Sequence, residues 1–266
     1  MSCRREDERV RVDVERDDDR SHRAWVDGLV GDEPVRFLLD TGARRCRVPH
    51  IAATSELVAT GTDTGVGAAG VTLGEDEVVV PAMGFDGIVV RDVDATRSAP
   101  GATTMPLLGM SALGRFVCDF RLADGVVDML ASAPERDWRP MSDRSIDQPL
   151  IDVEIDGVGV VACWDTGAGF SAFDMAFARE HPELFERHGG ASGFDSSDVA
   201  LDVELATVGP VRAAGLTFEP STCVLLDFAP MNEHAPSPIV AVIGLPLILR
   251  ADWCFDFHHR RWACAL

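Results

Sequence analysis

A short sequence, an apolar run followed by Asp-Thr-Gly-Ala, occurs twice in this chain. The first copy spans residues 37–43 and the second spans residues 162–168. Their acidic residues, Asp40 and Asp165, lie 125 positions apart in a chain of 266 residues, so each half contains one. A sequence repeated at matched positions indicates a repeated structural unit. The chain is therefore predicted to bring two carboxylates together across a pseudo-twofold axis.

The predicted secondary structure around the two motifs repeats in the same order. Alternating apolar residues and a central turn predict one hairpin before each acidic residue. The predicted strands are residues 24–30 and 35–39 in the first half and residues 151–156 and 158–164 in the second. An apolar-apolar-Gly sequence follows each motif, at 107–109 and at 242–244. A closing hairpin is predicted at the end of each half, over residues 116–130 and 253–266.

The repeat divides the chain into two predicted domains, residues 1–131 and residues 149–266. Residues 132–148 contain two prolines and many charges with little periodicity, which predicts a linker. Residues 174–188 predict a helix interrupted near Pro182, with no counterpart in the first half. Glycine-rich segments at 61–74 and 189–198 predict a flexible hairpin or loop in each half.

Composition limits the expected partners and location. The formal net charge is −20, and every cationic side chain is Arg or His because the chain has no Lys. An acidic surface repels nucleic acid and anionic membranes, so neither is expected as a partner. The charged N-terminal sequence lacks an apolar signal region, and no run of about 18 apolar residues occurs. These features predict a cytoplasmic protein.

The cysteines and histidines do not indicate a metal or cofactor site. Seven Cys form no CxxC pair, so neither a zinc centre nor a disulfide framework is expected. Cys254 and Cys264 could face each other across the C-terminal hairpin, whereas Cys163 is interpreted as a core residue of its strand. His258 and His259 lie in an Arg-rich segment, which favours a solvated turn over a metal site. No metal and no cofactor are predicted.

The paired motifs resemble those of the aspartic peptidase family. The residues that carry the resemblance are Asp40-Thr41-Gly42-Ala43 with 107–109, and Asp165-Thr166-Gly167-Ala168 with 242–244. The short halves are similar to retropepsins, and their fusion in one chain is similar to the pepsin-like bilobal arrangement. The resemblance implies an all-β fold with minor helix: two similar closed β-barrel lobes with an active-site cleft between them. It also implies a monomeric covalent pseudodimer that acts on an extended polypeptide.

The resemblance assigns a role to each motif residue. Asp40 and Asp165 would share one proton, activate a water molecule and polarise the scissile carbonyl without a metal. Thr41 and Thr166 would bond to the backbone of the opposite lobe. The remaining supporting residues are Gly42 and Gly167, where N–H groups approach the carboxylates; Ala43 and Ala168, which offer no hydroxyl; and Gly109 and Gly244, behind the catalytic loops.

The environment of the dyad predicts a raised pKa and activity at mildly acidic to near-neutral pH. Neither Ala43 nor Ala168 can stabilise a carboxylate with a hydroxyl, and the net charge of −20 opposes ionisation in the same direction. Flaps are expected within residues 55–80, centred on 65–70, and within residues 189–203. Trp164, directly before Asp165, is expected to pack beneath the dyad or to restrict a pocket.

Two other interpretations compete with an active peptidase. Asp-Thr-Gly after a strand can be an ordinary turn, because Asp and Gly both favour turns. Two copies at matched positions argue against that interpretation. A folded relative that keeps the cleft without turnover would be a peptide-binding or adaptor module. Substitution of either Asp separates these possibilities, because only the peptidase has turnover to lose.

Overall fold

The protein is built mainly from β-strands. A computed structural model describes residues 8–18, 21–63, 74–142, 147–194, 199–233 and 238–266. Strands account for 53% of the residues and helices for 12%, so the predicted all-β class with minor helix is confirmed. No helix in these ranges is long and apolar enough to cross a membrane.

Most strands of the first half form one sheet that closes toward a barrel. The elements are β1 (Glu8–Arg11), β2 (Asp13–Arg16), β3 (His22–Val30), β4 (Glu33–Leu39), β5 (Cys46–Val48), α1 (Ala52–Ser55), β6 (Gly61–Asp63), β7 (Glu75–Phe85), β8 (Ile88–Arg97), β9 (Leu107–Leu108), α2 (Met110–Leu113), β10 (Val117–Arg121) and β11 (Val126–Leu130). The sheet order is β2-β3-β4-β9-β5-β8-β7-β6. Closure comes from an additional pairing of β3 with β7. The predicted hairpin before Asp40 is confirmed as β3 and β4.

The second half forms a sheet of its own with a related strand order. The elements are β12 (Arg139–Pro140), β13 (Leu150–Ile155), β14 (Val158–Trp164), β15 (Ser171–Asp174), α3 (Met175–Glu180), β16 (Phe185–Phe194), β17 (Ala200–Val208), β18 (Val211–Ala213), β19 (Leu216–Phe218), β20 (Ser221–Leu226), α4 (Ala229–Asn232), β21 (Ala241–Ile243), α5 (Leu245–Ile248), β22 (Asp252–Asp256) and β23 (Arg261–Ala265). The sheet order is β16-β17-β20-β15-β21-β14-β13-β18-β19. The predicted hairpin before Asp165 is confirmed as β13 and β14.

The helix predicted over residues 174–188 is much shorter in the structure. The helix α3 ends at Glu180, and a 3-10 turn over Pro182–Leu184 leads directly into β16. Proline cannot donate the backbone N–H that a continuing helix needs, so the helix stops there. Phe185 then pairs with Val208 of β17 and packs its ring 5.3 Å from that of Phe173. The prediction that the first half lacks an equivalent of this helix is also wrong, since α1 follows β5 as α3 follows β15.

The predicted linker contains a short strand that the charge pattern did not indicate. Within residues 132–148, the strand β12 pairs with β23, with Arg139 opposite Trp262. Trp138 lies against the guanidinium of Arg261, 4.6 Å from its ring centroid. This segment is therefore attached to the sheet formed by the ends of both halves. Residues 143–146 of the predicted linker lie outside the described residues.

A third sheet joins the two halves of the chain. Its order is β1-β11-β10-β22-β23-β12, so the predicted closing hairpins of the two halves lie side by side. The central contact is the antiparallel pair β10 and β22, with Cys118 opposite Phe255. The closing hairpins thus form as predicted, but they pair with each other instead of completing each half separately.

Trp164 anchors the core between this shared sheet and the strand that leads to Asp165. Its side chain is fully buried, and its ring centroid lies 4.6 Å from Phe255, 4.8 Å from Phe120 and 5.8 Å from Trp253. These partners come from both halves, because Phe120 belongs to β10 and the other two belong to β22. Trp164 therefore packs in the core and does not line a pocket.

We predict that Trp164→Ala destabilises the whole fold. Removing a buried Trp leaves a cavity and costs about 3–5 kcal/mol in the free energy of unfolding. Urea unfolding followed by circular dichroism measures this loss. Trp138→Ala is the matched control, because Trp138 is partly exposed at the edge of the same sheet. An equal loss in both variants would contradict a central role for the Trp164 cluster.

Candidate active site

Each acidic turn is held by a neighbouring parallel strand from later in the same half. The strand β4 ends at Leu39 and runs parallel to β9. The next residue, Asp40, donates its N–H to the Leu108 carbonyl at 3.0 Å. In the second half β14 runs parallel to β21, and Asp165 donates its N–H to the Ile243 carbonyl at 2.9 Å. Both carboxyl groups therefore leave the end of a buried strand with the same backbone support.

Gly109 and Gly244 allow the segment behind each turn to pass without a side chain. A Cβ at Gly109 would lie 2.8 Å from the Ala43 carbonyl oxygen, and a Cβ at Gly244 would lie 2.7 Å from that of Ala168. Both contacts are shorter than real Cβ atoms make. The constraint is space, because the φ angles of −101° and −99° suit any residue. The Met110 N–H, directly after Gly109, donates to the Ala43 carbonyl, and the Leu245 N–H, directly after Gly244, donates to the Ala168 carbonyl.

Thr41 and Thr166 link the two turns by exchanging hydrogen bonds. The Thr41 N–H donates to the Thr166 Oγ1, and the Thr166 N–H donates to the Thr41 Oγ1, both at 3.1 Å. The Thr41 hydroxyl in turn donates to the Trp164 carbonyl at 2.9 Å. Both threonines are fully buried, so these bonds form away from competing water.

The two carboxyl groups lie within hydrogen-bonding distance of each other. Asp165 accepts the N–H of Gly42 at 3.1 Å and that of its own Gly167 at 2.8 Å. Asp40, which is 6% exposed, accepts the N–H of Ala43 at 2.9 Å. A Cβ at Gly42 would collide with the Asp165 carboxylate, and one at Gly167 would lie 2.5 Å from the Asp40 Cγ. Only glycine permits both approaches.

Burial raises the pKa of both aspartates above the usual range, but their surroundings differ. The pKa of Asp40 is raised by burial and then by the neighbouring Asp165 charge, against one N–H donor from Ala43. The pKa of Asp165 is also raised by burial, while the N–H groups of Gly167 and Gly42 and the Asp40 side chain lower it. Two adjacent carboxylates cannot both ionise easily, so they hold one proton between them. The donor count favours that proton on Asp40.

This arrangement can carry out general acid–base chemistry. The ionised Asp165 can accept a proton from a water molecule, and the protonated Asp40 can donate one to an oxygen that develops negative charge. No group of three or more His, Cys, Asp or Glu side chains in the described ranges has the geometry to hold a metal ion.

Residues outside the motifs also support the turns, and the sequence did not identify them. Gln148, placed in the predicted linker, donates its Nε2 to the Gly42 carbonyl at 3.3 Å. The Ser111 hydroxyl accepts the Cys46 N–H at 3.0 Å, and the Ser171 hydroxyl accepts the Gly244 N–H at 3.1 Å. Ser111 follows the first apolar-apolar-Gly segment, whereas Ser171 follows the second acidic turn. Because they occupy different places in the repeat, sequence comparison of the halves could not pair them.

In the described part of the chain the cysteines form no disulfide, and neither they nor the histidine pair belong to a group that could hold a metal ion. The six described cysteines are free thiols, and five are buried. Cys254 lies opposite Ala263 and Cys264 lies opposite Trp253, so the two do not face each other. Burial and the nearby Asp165 and Asp40 charges raise the pKa of Cys163 well above its usual value, which leaves it a neutral thiol.

A hairpin occupies the predicted flap region of each half. In the first half it consists of β6 and β7, and in the second half of β16 and β17. The predicted first tip at 65–70 lies outside the described residues, as do residues 195–198 of the second hairpin. Only the arms of the two hairpins therefore fall within the described residues.

Comparison with known families agrees with this geometry in the first half. Residues 26–115 match the family described as gag-polyprotein putative aspartyl protease. This stretch is similar to an aspartyl protease. The predicted resemblance to aspartic peptidases is thus confirmed over a stretch that includes Asp40 and Gly109. The second copy of the motif lies beyond the matched residues of the aspartyl-protease-like domain, and no curated protein matches the chain.

We predict that Thr41→Val weakens the junction of the two turns. Valine keeps the shape of threonine but leaves the Thr166 N–H and the Trp164 carbonyl without their partner. Each buried polar group left unpaired costs about 1–3 kcal/mol in the free energy of unfolding. Urea unfolding measures the loss, and Thr41→Ser, which keeps the hydroxyl, is the control. Equal stability of the valine variant and the wild type would contradict the exchange of hydrogen bonds.

We also predict that the stability gained by Asp40→Asn increases with pH. A carboxyl whose pKa is raised by folding holds its proton more tightly in the folded chain than in the unfolded chain. The contribution of Asp40 to wild-type stability therefore falls as pH rises from about 4, near the unfolded pKa, toward the raised folded value. The asparagine variant lacks this contribution. Urea unfolding across this pH range measures the difference, with the exposed Asp94→Asn as control. Parallel pH curves for wild type and Asp40→Asn would contradict the raised pKa.

Proposed function

We propose that the protein is an aspartic endopeptidase whose catalytic groups are Asp40 and Asp165. The observation that carries the proposal is the buried contact of the two carboxyl groups at the ends of matched strands. The aspartyl-protease-like domain at residues 26–115 supports it from the first half. Thr41, Gly42, Ala43, Gly109 and their counterparts Thr166, Gly167, Ala168 and Gly244 are the supporting residues in this proposal.

The dyad hydrolyses a peptide bond with one shared proton. Asp165 takes a proton from a water molecule as the water oxygen attacks the scissile carbonyl carbon, and Asp40 gives its proton to the carbonyl oxygen. The product of this step is a neutral tetrahedral diol. Asp165 then transfers its proton to the amide nitrogen while Asp40 recovers one from a diol hydroxyl. The C–N bond breaks, and both carboxyl groups return to their starting state.

The substrate in this proposal is an extended polypeptide. A chain that crosses the dyad would bind as an additional strand below the β6–β7 and β16–β17 hairpins. The two halves act as a covalent pseudodimer, with domains at 1–131 and 149–266 and a connection at 132–148. A monomer suffices, because one chain supplies both carboxyl groups. The net charge of −20 disfavours nucleic acid and anionic membranes as partners, and a cytoplasmic location is part of the same proposal.

We predict that Asp40→Asn and Asp165→Asn each abolish peptide hydrolysis. Asparagine keeps the shape of the side chain but cannot exchange the shared proton, so losses of at least about 100-fold are expected. Cleavage of an unstructured peptide library is followed by mass spectrometry at mildly acidic to neutral pH, with and without EDTA. Wild-type cleavage should persist in EDTA, since the dyad needs no metal.

Other outcomes distinguish the alternatives. An inert wild type that still binds peptides would replace the peptidase by a peptide-binding or adaptor module. Full activity in one of the two asparagine variants would reject the pairing of the two aspartates. The exposed Asp94→Asn serves as a control for changes of charge outside the site.

A further inference from the structure

Strand pairing places Arg47, Thr96 and Leu107 next to one another beside Asp40. The strand β5 pairs with β8 on one side and with β9 on the other, and Arg47 lies opposite Thr96 and Leu107. Its neighbours Cys46 and Val48 face the main core, so Arg47 faces the opposite side of the sheet. This is the side on which the β6–β7 hairpin meets β5, because Arg47 contacts Glu75 at the start of β7.

The same pairing identifies the equivalent group beside Asp165. The strand β15 lies between β20 and β21, and Ala172 lies opposite Val224 and Val242. The adjacent Phe173 faces the main core, so Ala172 faces the other side, as Arg47 does. Ala172 is also 125 positions after Arg47, the spacing of the two catalytic aspartates. Ala172 is therefore the counterpart of Arg47, and Val224 is the counterpart of Thr96.

The arms of the two hairpins extend this correspondence. Glu77 lies opposite Thr96, and Leu205 lies opposite Val224, so these two hairpin positions correspond. Two residues earlier in each arm, on the same face, are Glu75 and Val203. The facing positions of the outer arms are Asp63 in β6 and Ala191 in β16.

The group in the first half is charged and internally paired. The Arg47 Nε lies 2.9 Å from Glu75, and their side chains are only 12% and 8% exposed. Thr96 donates its hydroxyl to the same Glu75 at 2.7 Å. Next to them, Arg45 forms an ion pair of 2.7 Å with Glu77 and lies 3.6 Å from Asp63. Two arginines thus face three carboxylates, which leaves a net negative charge on this side.

The group in the second half is apolar. Ala172, Leu226 and Phe228 form a small hydrophobic cluster separate from the main core. Val203 and Val224 pack against this cluster and remain partly exposed, as do Val242, Ile239 and Met231. Leu205 and Ala191, the counterparts of Glu77 and Asp63, are also partly exposed. All five compared positions that are polar beside Asp40 are therefore apolar beside Asp165.

We propose that these two groups make the cleft select a peptide that is apolar on one side of the scissile bond and polar or basic on the other. The inference rests on the proposed endopeptidase function. A pseudo-twofold relation places equivalent residues on opposite sides of the dyad, so they meet substrate side chains on opposite sides of the bond. Partly exposed Val203 and Val224 offer an apolar side chain burial. The polar group in the first half offers hydrogen bonds and a net negative charge through Arg45, Arg47, Asp63, Glu75 and Glu77. A large apolar side chain bound there would leave the polar atoms of this group unpaired.

The inference is tested first with two profiles of one peptide library. The wild type is profiled by cleavage, and Asp165→Asn is profiled by binding, which needs no turnover. Both profiles should show an apolar position and a polar or basic position, each with a preference of about 10-fold or more. Cleavage without this asymmetry would overturn the inference and leave the proposed function intact. Asymmetric binding without wild-type cleavage would reject the peptidase but support the inference. Absence of both would reject both.

A substitution that gives the first half the residues of the second half provides the sharper test. Arg47→Ala, Glu75→Val and Thr96→Val are combined, so that no partner of the buried ion pair is left alone. The preference for a polar or basic side chain should change to an apolar one, by about 10-fold or more in relative kcat/KM. An unchanged preference in the folded variant would overturn the inference.

Two further variants keep this test decisive. Val224→Thr alters the apolar group without changing its shape, and it should reduce the preference for an apolar side chain several-fold. The matched control is Arg187→Ala with Glu204→Val, which removes an exposed ion pair of 3.1 Å between β16 and β17. This pair has the same residue types but alternates with Val203 and Leu205, so it faces away from the apolar group. A change of preference in the control alone, or no change in Val224→Thr, would contradict the assignment of the subsites.

Discussion

The structure depends on holding two carboxyl groups side by side in a buried place. Their burial and mutual repulsion oppose ionisation, and isolated charges there would destabilise the fold. The surrounding backbone reduces this cost by directing the N–H groups of Gly42, Gly167 and Ala43 at the carboxylates. Such close approach excludes side chains at the two glycines. The Asp-Thr-Gly sequence is therefore explained by the space and the donors that the carboxyl pair requires.

The position of each carboxyl group also depends on the other half of the chain. The threonines exchange hydrogen bonds between the turns, and Trp164 packs directly below on Phe120 and Phe255. The shared sheet holds these aromatic residues through the pairing of β10 with β22. A displacement of one half would thus separate the aspartates and open the core together. Precise placement of the dyad and stability of the fold have the same structural source.

The sequence predicted the features that are dictated locally and repeated. The hairpins before Asp40 and Asp165 follow from apolar alternation and turn residues, and Gly109 and Gly244 follow from their place in the repeat. The prediction was wrong where tertiary contacts decide the outcome. Residues 185–188 have a helical pattern, but they form a strand because Phe185 pairs with β17 and packs on Phe173. The two-residue strand β12 has too little pattern to be recognised without its partner β23.

The side chains around the dyad show why their chemistry is harder to predict from the sequence than the fold. The turns, the glycines and the threonines are the same in both halves, because any change there disturbs the shared proton or the junction. Arg47 and Ala172 lie at equivalent positions one strand away, yet one is charged and the other apolar. Nothing in the backbone requires these two to be alike, since each side satisfies its own contacts: an ion pair with Glu75, or packing with Val203 and Val224. A single chain with two halves can therefore keep two matched acidic turns while the side chains around them differ. A homodimer built from one repeated chain does not have this freedom, because every substitution would change both sides at once.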